Sequence, residues 1–492
     1  MSERICSRLG QTVATVICMG VVLLQLPSTL QAQERTWESL DYPPLNKVTF
    51  PEVDRRVLDN GATIYAMEDR TLPMVTLNLI ARGGRFLIPS SMTGLDRLLE
   101  EGLMAGGTER LDPDAFRTLL EGRAATLSVT VGVTSTRIRI QFLREDLERL
   151  APLLKELIQN PRYPESELER TLLQAETAVS RQNEDPVEIA RREFRGLLFG
   201  KESVLARVPT YRTLDGLNRN VVLQLHEQIF RAPNLHIGIS GDLDRSMMIT
   251  FMEDLFSEME TSNPIQVDIQ IEASRQSREE SGTVVYLAEK RDVNQSTLFL
   301  GHVGGRQSDE DLPAQELFNQ LLGGGFSGRL FQHVRSEKGL AYAVFGSYGH
   351  QVHYPGIFAA GALTRSEATV DAIEAIQEEI RRLREELVSE DELRKAVDRY
   401  LNRQIFEYEN RERQLLERMQ NQVDGLPERW TEELIDLVPK VTAEEVRTMA
   451  HQRIEPDKWI LLVVGNPDEL GDSLEELGRV VPVDISIPDA EE

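Results

Sequence analysis

Cysteine is nearly absent. The 492 residues contain two, Cys6 and Cys18, and both lie inside the first 32 positions. A chain trimmed of that segment has no disulfide, no thiol nucleophile and no cysteine-ligated metal, so its stability must come from core packing. Basic residues are also scarce: 55 Lys plus Arg stand against 81 Asp plus Glu, for a formal net charge of -26. Such a surface repels nucleic-acid phosphates and anionic lipid, which argues against a nucleic-acid partner and against membrane binding beyond an export signal. Histidine is sparse and unevenly placed, with seven in all and none before His226. A phosphate-binding loop is missing too, because Gly323-Gly324-Gly325 lacks the Lys-Ser/Thr that would follow it. Those glycines suit a hinge or a close backbone approach to a peptide.

What is present is enough for a folded protein. The hydrophobic share is 40% and the charged share 28%, too apolar for a disordered chain and long enough for two to four domains with real cores. Residues 1–32 read as a secretory signal. Arg4 and Arg8 give a basic start, Val13 to Leu26 is mostly apolar, and Leu30-Gln31-Ala32 is a tolerable cleavage site. A retained anchor is the alternative, but the apolar run is short for a span, which needs about 20 residues. Ile17-Cys18 departs from a lipoprotein signal. Export without cysteine suits the periplasm of a Gram-negative bacterium.

The rest of the chain repeats one plan. TLNLIARGG (76–84) is echoed by TLFLGHVGG (297–305), each an apolar strand closing in a glycine pair. A helix is predicted after each, Met92 to Leu103 and Leu312 to Leu322, ending at Gly106-Gly107 and at Gly323-Gly324-Gly325. NLHIGISGDLD (234–244) and KWILLVVGNPD (458–468) close the two halves as buried strands. A hairpin turning at Asn60-Gly61 opens the first half, and Ala125 to Phe142 alternates around Gly132 as a second hairpin or a bent strand. Glu367 to Glu386 and Glu390 to Val423 read as long charged helices with solvated faces. The fold class is therefore α+β: two similar domains, each a mostly antiparallel sheet with helices on one face. Their boundaries fall at 45–263 and 283–484, with a polar linker at 264–282.

The order of elements, together with GGGFSGRLFQHVRSEKGLAY (323–342), resembles the M16B type of the insulinase-like (M16) peptidase superfamily, over about Val48 to Val481. Gly328 between Ser327 and Arg329 is a small departure from the family's pattern. The resemblance implies a LuxS/MPP-like metallohydrolase fold. Active members carry His-x-x-Glu-His on the first-half helix and a further Glu downstream. Imidazoles at i and i+4 converge on one zinc ion, which lowers the pKa of its water, while the internal Glu is general base. In GLDRLLEEGL (94–103) the two histidine positions fall on Arg97 and Glu101, the base on Glu100, and the third ligand near Glu176. A one-residue shift restores no histidine, and Arg cannot shed its proton to bind zinc. An Arg97–Glu101 or Arg97–Glu100 ion pair is the expectation instead. No metal or other cofactor is expected in this chain.

The second half keeps Arg335 and Tyr342, which the resemblance implies border the substrate and donate to the reacting carbonyl, beside a substrate-binding loop of Gly323, Gly324 and Gly325. Some members pair a zinc-bearing chain with a chain carrying this Arg/Tyr motif. The resemblance thus implies the non-zinc subunit of a heterodimeric peptidase, inactive alone and acting on peptides with a zinc-bearing M16 partner. A structural scaffold or peptide-binding chaperone is the alternative. Other histidines offer little: His350 and His353 read as a loop pair, His236 as a core histidine, and His333 neighbours Arg335 in the motif.

Overall fold

The computed structural model describes residues 50–271, 283–470 and 474–487. The expected signal at 1–32 and most of the polar linker lie outside the described residues. In the first half, β1 (Asp54–Val57) and β2 (Thr63–Glu68) form the hairpin around Asn60-Gly61, followed by β3 (Met74–Arg82), β4 (Thr126–Val131), β5 (Ser135–Leu143) and β6 (Leu235–Gly241). They make one six-stranded sheet in the order β1-β2-β6-β3-β5-β4, antiparallel except where β2 runs beside β6. Its helices are α1 (Leu95–Ala105), α2 (Pro113–Gly122), α3 (Leu147–Gln159), α4 (Glu165–Ser180), α5 (Pro186–Phe199), α6 (Tyr211–Asp215), α7 (Arg219–Ile229) and α8 (Arg245–Phe256).

The second half repeats the arrangement with β7 (Val284–Glu289), β8 (Gln295–Val303), β10 (Ala341–Tyr348), β12 (Ile357–Arg365), β13 (Ile460–Gly465) and β14 (Arg479–Pro482), in the order β10-β12-β8-β13-β7-β14. Two-residue strands β9 (Gly305–Arg306) and β11 (His350–Gln351) pair separately. Its helices are α9 (Leu312–Gly323), α10 (Thr369–Glu385), α11 (Glu390–Glu409), α12 (Arg411–Val423), α13 (Trp430–Leu437) and α14 (Ala443–Arg453). The echoed segments take equivalent places: β3 and β8 are central, and β6 and β13 each lie beside them. Only the edge next to the parallel pair differs, since β1 comes from the start of its half and β14 from the end.

Strand periodicity explains how both faces of each sheet are buried. On the first sheet Ile64, Ala66, Val75, Leu77, Leu79, Ile237 and Ile239 pack against that half's own helices. The alternate residues Tyr65, Met67 and Ile80 face the other way and meet Leu415, Met419 and Val423 of α12. On the second sheet Val285, Leu298, Leu300, Leu461 and Val463 face their own helices. Ala288, Ile460, Leu462 and Val464 meet Ile189, Ala190, Phe194 and Leu198 of α5. Each half therefore keeps its own helices on one face and receives one helix of the other half on the opposite face. Residues 48–492 form one compact unit.

Two helix readings need correction. The helical stretch from Glu390 to Val423 is broken at Asn410, whose backbone is extended and whose side chain accepts the Arg413 N–H at 3.1 Å, capping α12. The charges of α12 are not all solvated either: Glu412 takes a two-pronged ion pair from Arg139 of β5 at 2.6 and 2.9 Å. In the first half, α1 starts at Leu95 instead of Met92, because Gly94 turns the chain with φ 110°.

Candidate functional site

The helix that would carry zinc in an active relative is α1, packed against α4 and the edge strand β4. Arg97, Glu100 and Glu101 all lie on α1 and are half-buried, whereas Glu176 is exposed on α4. Gly102 lets Tyr163 approach, since a Cβ there would sit 2.5 Å from its ring. The expected ion pairs of Arg97 with Glu100 or Glu101 do not form among the described residues. Instead, Glu100 Oε1 accepts the backbone N–H of Val131 at 2.5 Å. Residues 128, 130 and 132 bond to β5, as the Gly132 N–H to Ser135 carbonyl bond of 2.8 Å requires, so Val131 points its N–H to the open side of the sheet. Burial pushes the Glu100 carboxyl above its ordinary range; the Val131 bond opposes this, Asp96 and Glu101 reinforce it, and Arg85 opposes it.

These residues do not fit a zinc ion. A guanidinium stands at one ligand position, the carboxylate at the base position is engaged by a backbone amide, and no histidine or cysteine lies on α1 or α4. No step of metal chemistry is derived through this site.

The second half presents a different surface. Leu330–Glu337 is a wide π-type turn in which the Lys338 N–H reaches back to the His333 carbonyl at 3.1 Å; such bulged turns recur at functional sites. Tyr342 follows on β10, where the pairing with β12 skips it: Ala341 opposes Thr364 and Ala343 opposes Leu363. The bulge drives its ring outward, to 76% exposure. The Arg335 guanidinium lies 4.7 Å from the Phe331 ring centre and 5.7 Å from that of Tyr342, within the range of cation–π attraction. The structure thus brings Arg335 and Tyr342 together. No hydrogen bond or ion pair among the described residues links them to Arg97, Glu100, Glu101 or Glu176.

The glycine loop runs beside this pair. Gly323 closes α9 so tightly against the Gly346 backbone of β10 that a Cβ would collide with its carbonyl. Gly325 has φ +68° and open space around it. Arg329 anchors the loop through a bidentate pair with Glu392 of α11 at 2.7 and 2.9 Å. His333 stands 3.0 Å from the buried Glu379 carboxylate.

The remaining histidines separate. His236 is a satisfied core residue, its Nδ1 2.8 Å from the Tyr65 hydroxyl. His226 bridges the Tyr163 hydroxyl and the Ile158 carbonyl, each at 2.9 Å. His350 lies 3.7 Å from Glu316 and His353 3.1 Å from Asp424, so the two do not converge on one ion.

Comparison with known proteins points to one family. Residues 216–400, which include the glycine loop, Arg335 and Tyr342, match the family model described as the peptidase M16 inactive domain. These likenesses support the M16 peptidase superfamily. The chain is 23% identical over 404 residues to the non-peptidase homolog YmxG of Helicobacter pylori, covering 81% of this chain and 90% of that one. Its fold matches a peptidase M16 inactive domain from Pseudomonas fluorescens with TM-score 0.72 and 20% identity, over 88% of this chain and all of the other. It also matches the periplasmic protease PqqL of Escherichia coli with TM-score 0.70 and 14% identity, over 87% of this chain and 47% of that one.

Reading the sequence missed Phe326 and Phe331. Phe326 is 77% exposed and meets Phe331 edge-on at 4.9 Å between ring centres, extending the Arg335/Tyr342 surface. The signal was available as an aromatic residue inside a glycine-rich loop, where no core surrounds it. The bond from Glu100 to Val131 had no such signal, because it joins two elements that only folding brings together.

Proposed function

We propose that this chain is the non-zinc subunit of a heterodimeric, M16B-type peptidase exported to the periplasm, and that it lends Arg335 and Tyr342 to a zinc-bearing partner. The observation carrying this reading is the contrast between the halves. On α1 the Glu100 carboxylate is bound to a backbone amide and an arginine faces where a ligand would be. On the second half Arg335 and Tyr342 stand together at the surface, on a π-type turn and a bulge. A guanidinium and a phenol are suited to donate to a carbonyl oxygen as it gains charge. The substrate class is a peptide taken as an added strand, for which the end strands β4 and β10 offer unpaired backbone groups.

The test mixes the mature chain with its zinc-bearing homologue and follows cleavage of a quenched fluorescent peptide. Arg335→Ala and Tyr342→Phe should pair normally by gel filtration and lower turnover by about 10²–10³. This chain alone should not cleave. Normal pairing with undiminished activity sinks the donor role. It favours the second reading, a scaffold or peptide-binding chaperone, with which the non-peptidase name of the Helicobacter pylori relative agrees.

A further inference from the structure

Guanidiniums without carboxylate partners are unexpected in a chain of net charge -26, yet Arg85 and Arg207 share a cavity with Asp96 of α1. Arg85, Arg195 and Arg207 form no ion pair among the described residues. Arg85 is the hub. Its backbone N–H bonds the Gly132 carbonyl at 2.9 Å, at the turn that ends β4. Arg207 Nη2 donates to the Arg85 and Ile88 carbonyls at 2.9 and 2.6 Å. A cavity of about 60 Å³ lies between the Arg85 and Arg207 side chains, also lined by Thr93, Asp96 and Val204. The Arg85 Nε is buried with no hydrogen-bond partner among the described residues, an arrangement that costs free energy unless a ligand or water completes it.

The electrostatics agree with the geometry. Partial burial lowers the Arg195 guanidinium from its ordinary value; Arg85 lowers it further, Tyr354 opposes this and Arg191 adds to it. Arg207 is lowered by burial and by Arg85, with Asp96 and Glu202 opposing from beyond ion-pair distance. The remaining nearby carboxylate, Glu100, is engaged by Val131. Arg85 and Arg207 thus stand together at this cavity, beside the turn that ends β4.

We propose that Arg85 and Arg207 form a receptor for a peptide carboxylate at the end of β4, so that the half without zinc ligands holds an acidic group of the peptide. The planar guanidinium fork matches a carboxylate in two-pronged fashion. This rests on the peptide-binding part of the reading above, and it does not depend on a catalytic partner. The protein's overall negative field repels an acidic peptide, so a preference for one must arise from local contact.

Three labelled forms of one short Ala/Ser/Val peptide test this by fluorescence anisotropy with the mature chain: a free C-terminal carboxylate, its amide, and an amide with one internal Glu. One of the acidic forms should bind about tenfold tighter than the neutral amide, and which of the two it is separates a terminal from a side-chain carboxylate. Arg85→Gln and Arg207→Gln, each checked for an unchanged melt, should reduce that form to the affinity of the amide. Equal binding of all three forms overturns the receptor and leaves peptide binding standing. A preference that survives in both variants also overturns it. If none of the three binds, the receptor and the peptide-binding reading fall together.

Discussion

Single residues carry the pH behaviour of this protein. Glu100 is held above the ordinary glutamate range chiefly by burial, so the folded state binds its proton more tightly than the unfolded state. The stability linked to that proton is present at low pH and is lost as pH rises from the ordinary range through the raised folded value. Glu100→Gln keeps an acceptor for the Val131 N–H and removes the titration. Its melting temperature should therefore gain on that of the parent as pH rises above the ordinary glutamate value of about 4; a difference that stays constant with pH contradicts the assignment. His226 and His236 act with the opposite sign. Burial lowers each to about 4, so their neutral rings contribute stability that is complete above the ordinary histidine value and lost as pH falls toward the folded one. At about pH 5 each costs roughly 2 kcal/mol. Urea midpoints should fall between pH 7 and pH 5, and His236→Gln should flatten that fall; an equal pH slope in the variant refutes it. The burial of His236 was legible in its apolar strand. The bond of Glu100 was not, because helix spacing places Arg97 and Glu101 on one face but cannot say that a strand amide lies nearer than either.

Elements show where pattern reading stops. The amphipathic stretches of α5 and α12 reveal that a face is buried, and the buried-type runs of β6 and β13 reveal strands covered on both sides, but neither pattern names the partner. The partner in each case is the other half. Gly238 of β6 lies under α12, where a Cβ would collide with the Met419 sulfur and sit 3.1 Å from Leu415. Gly238→Val should therefore destabilise the protein by about 1–3 kcal/mol through overpacking. Met419→Ala in the same chain should recover part of that loss; if the double variant shows only the sum of two separate losses, α12 is not the element pressed on. Across the other sheet Phe194 of α5 is 2% exposed and meets Phe299 at 5.4 Å. Phe194→Ala should cost about 3–5 kcal/mol by urea unfolding, as a large buried ring does. The break at Asn410 was written in the sequence as a cap residue, yet unbroken helical charge on both sides hid it. The repeated strands and glycine pairs were plain because they depend on local chemistry that each half states for itself.

At the scale of the molecule, reciprocal covering makes the halves interdependent. Removing α5 would expose Ala288, Ile460, Leu462 and Val464 of the second sheet, and removing α12 would expose Tyr65, Met67 and Ile80 of the first. Three arginines of the first sheet also hold α12: Arg82 reaches the Val423 carbonyl at 2.7 Å, Arg137 reaches Gln420 at 2.8 Å, and Arg139 grips Glu412. The covalent connection between the halves is then dispensable for their association, because apolar area and ion pairs join them independently of it. A protease site inserted in the polar stretch 274–281 and cut after folding should give two fragments that co-elute as one species. The cut protein should still unfold in a single transition, because neither sheet keeps a covered second face alone. Adding Phe194→Ala to the first fragment should lower that one transition as a whole, although the substitution lies in one half and the strand it covers lies in the other. Fragments that separate in native buffer, or two transitions of which Phe194→Ala moves only one, would show that each half stands by itself and that the exchanged helices are a minor contact.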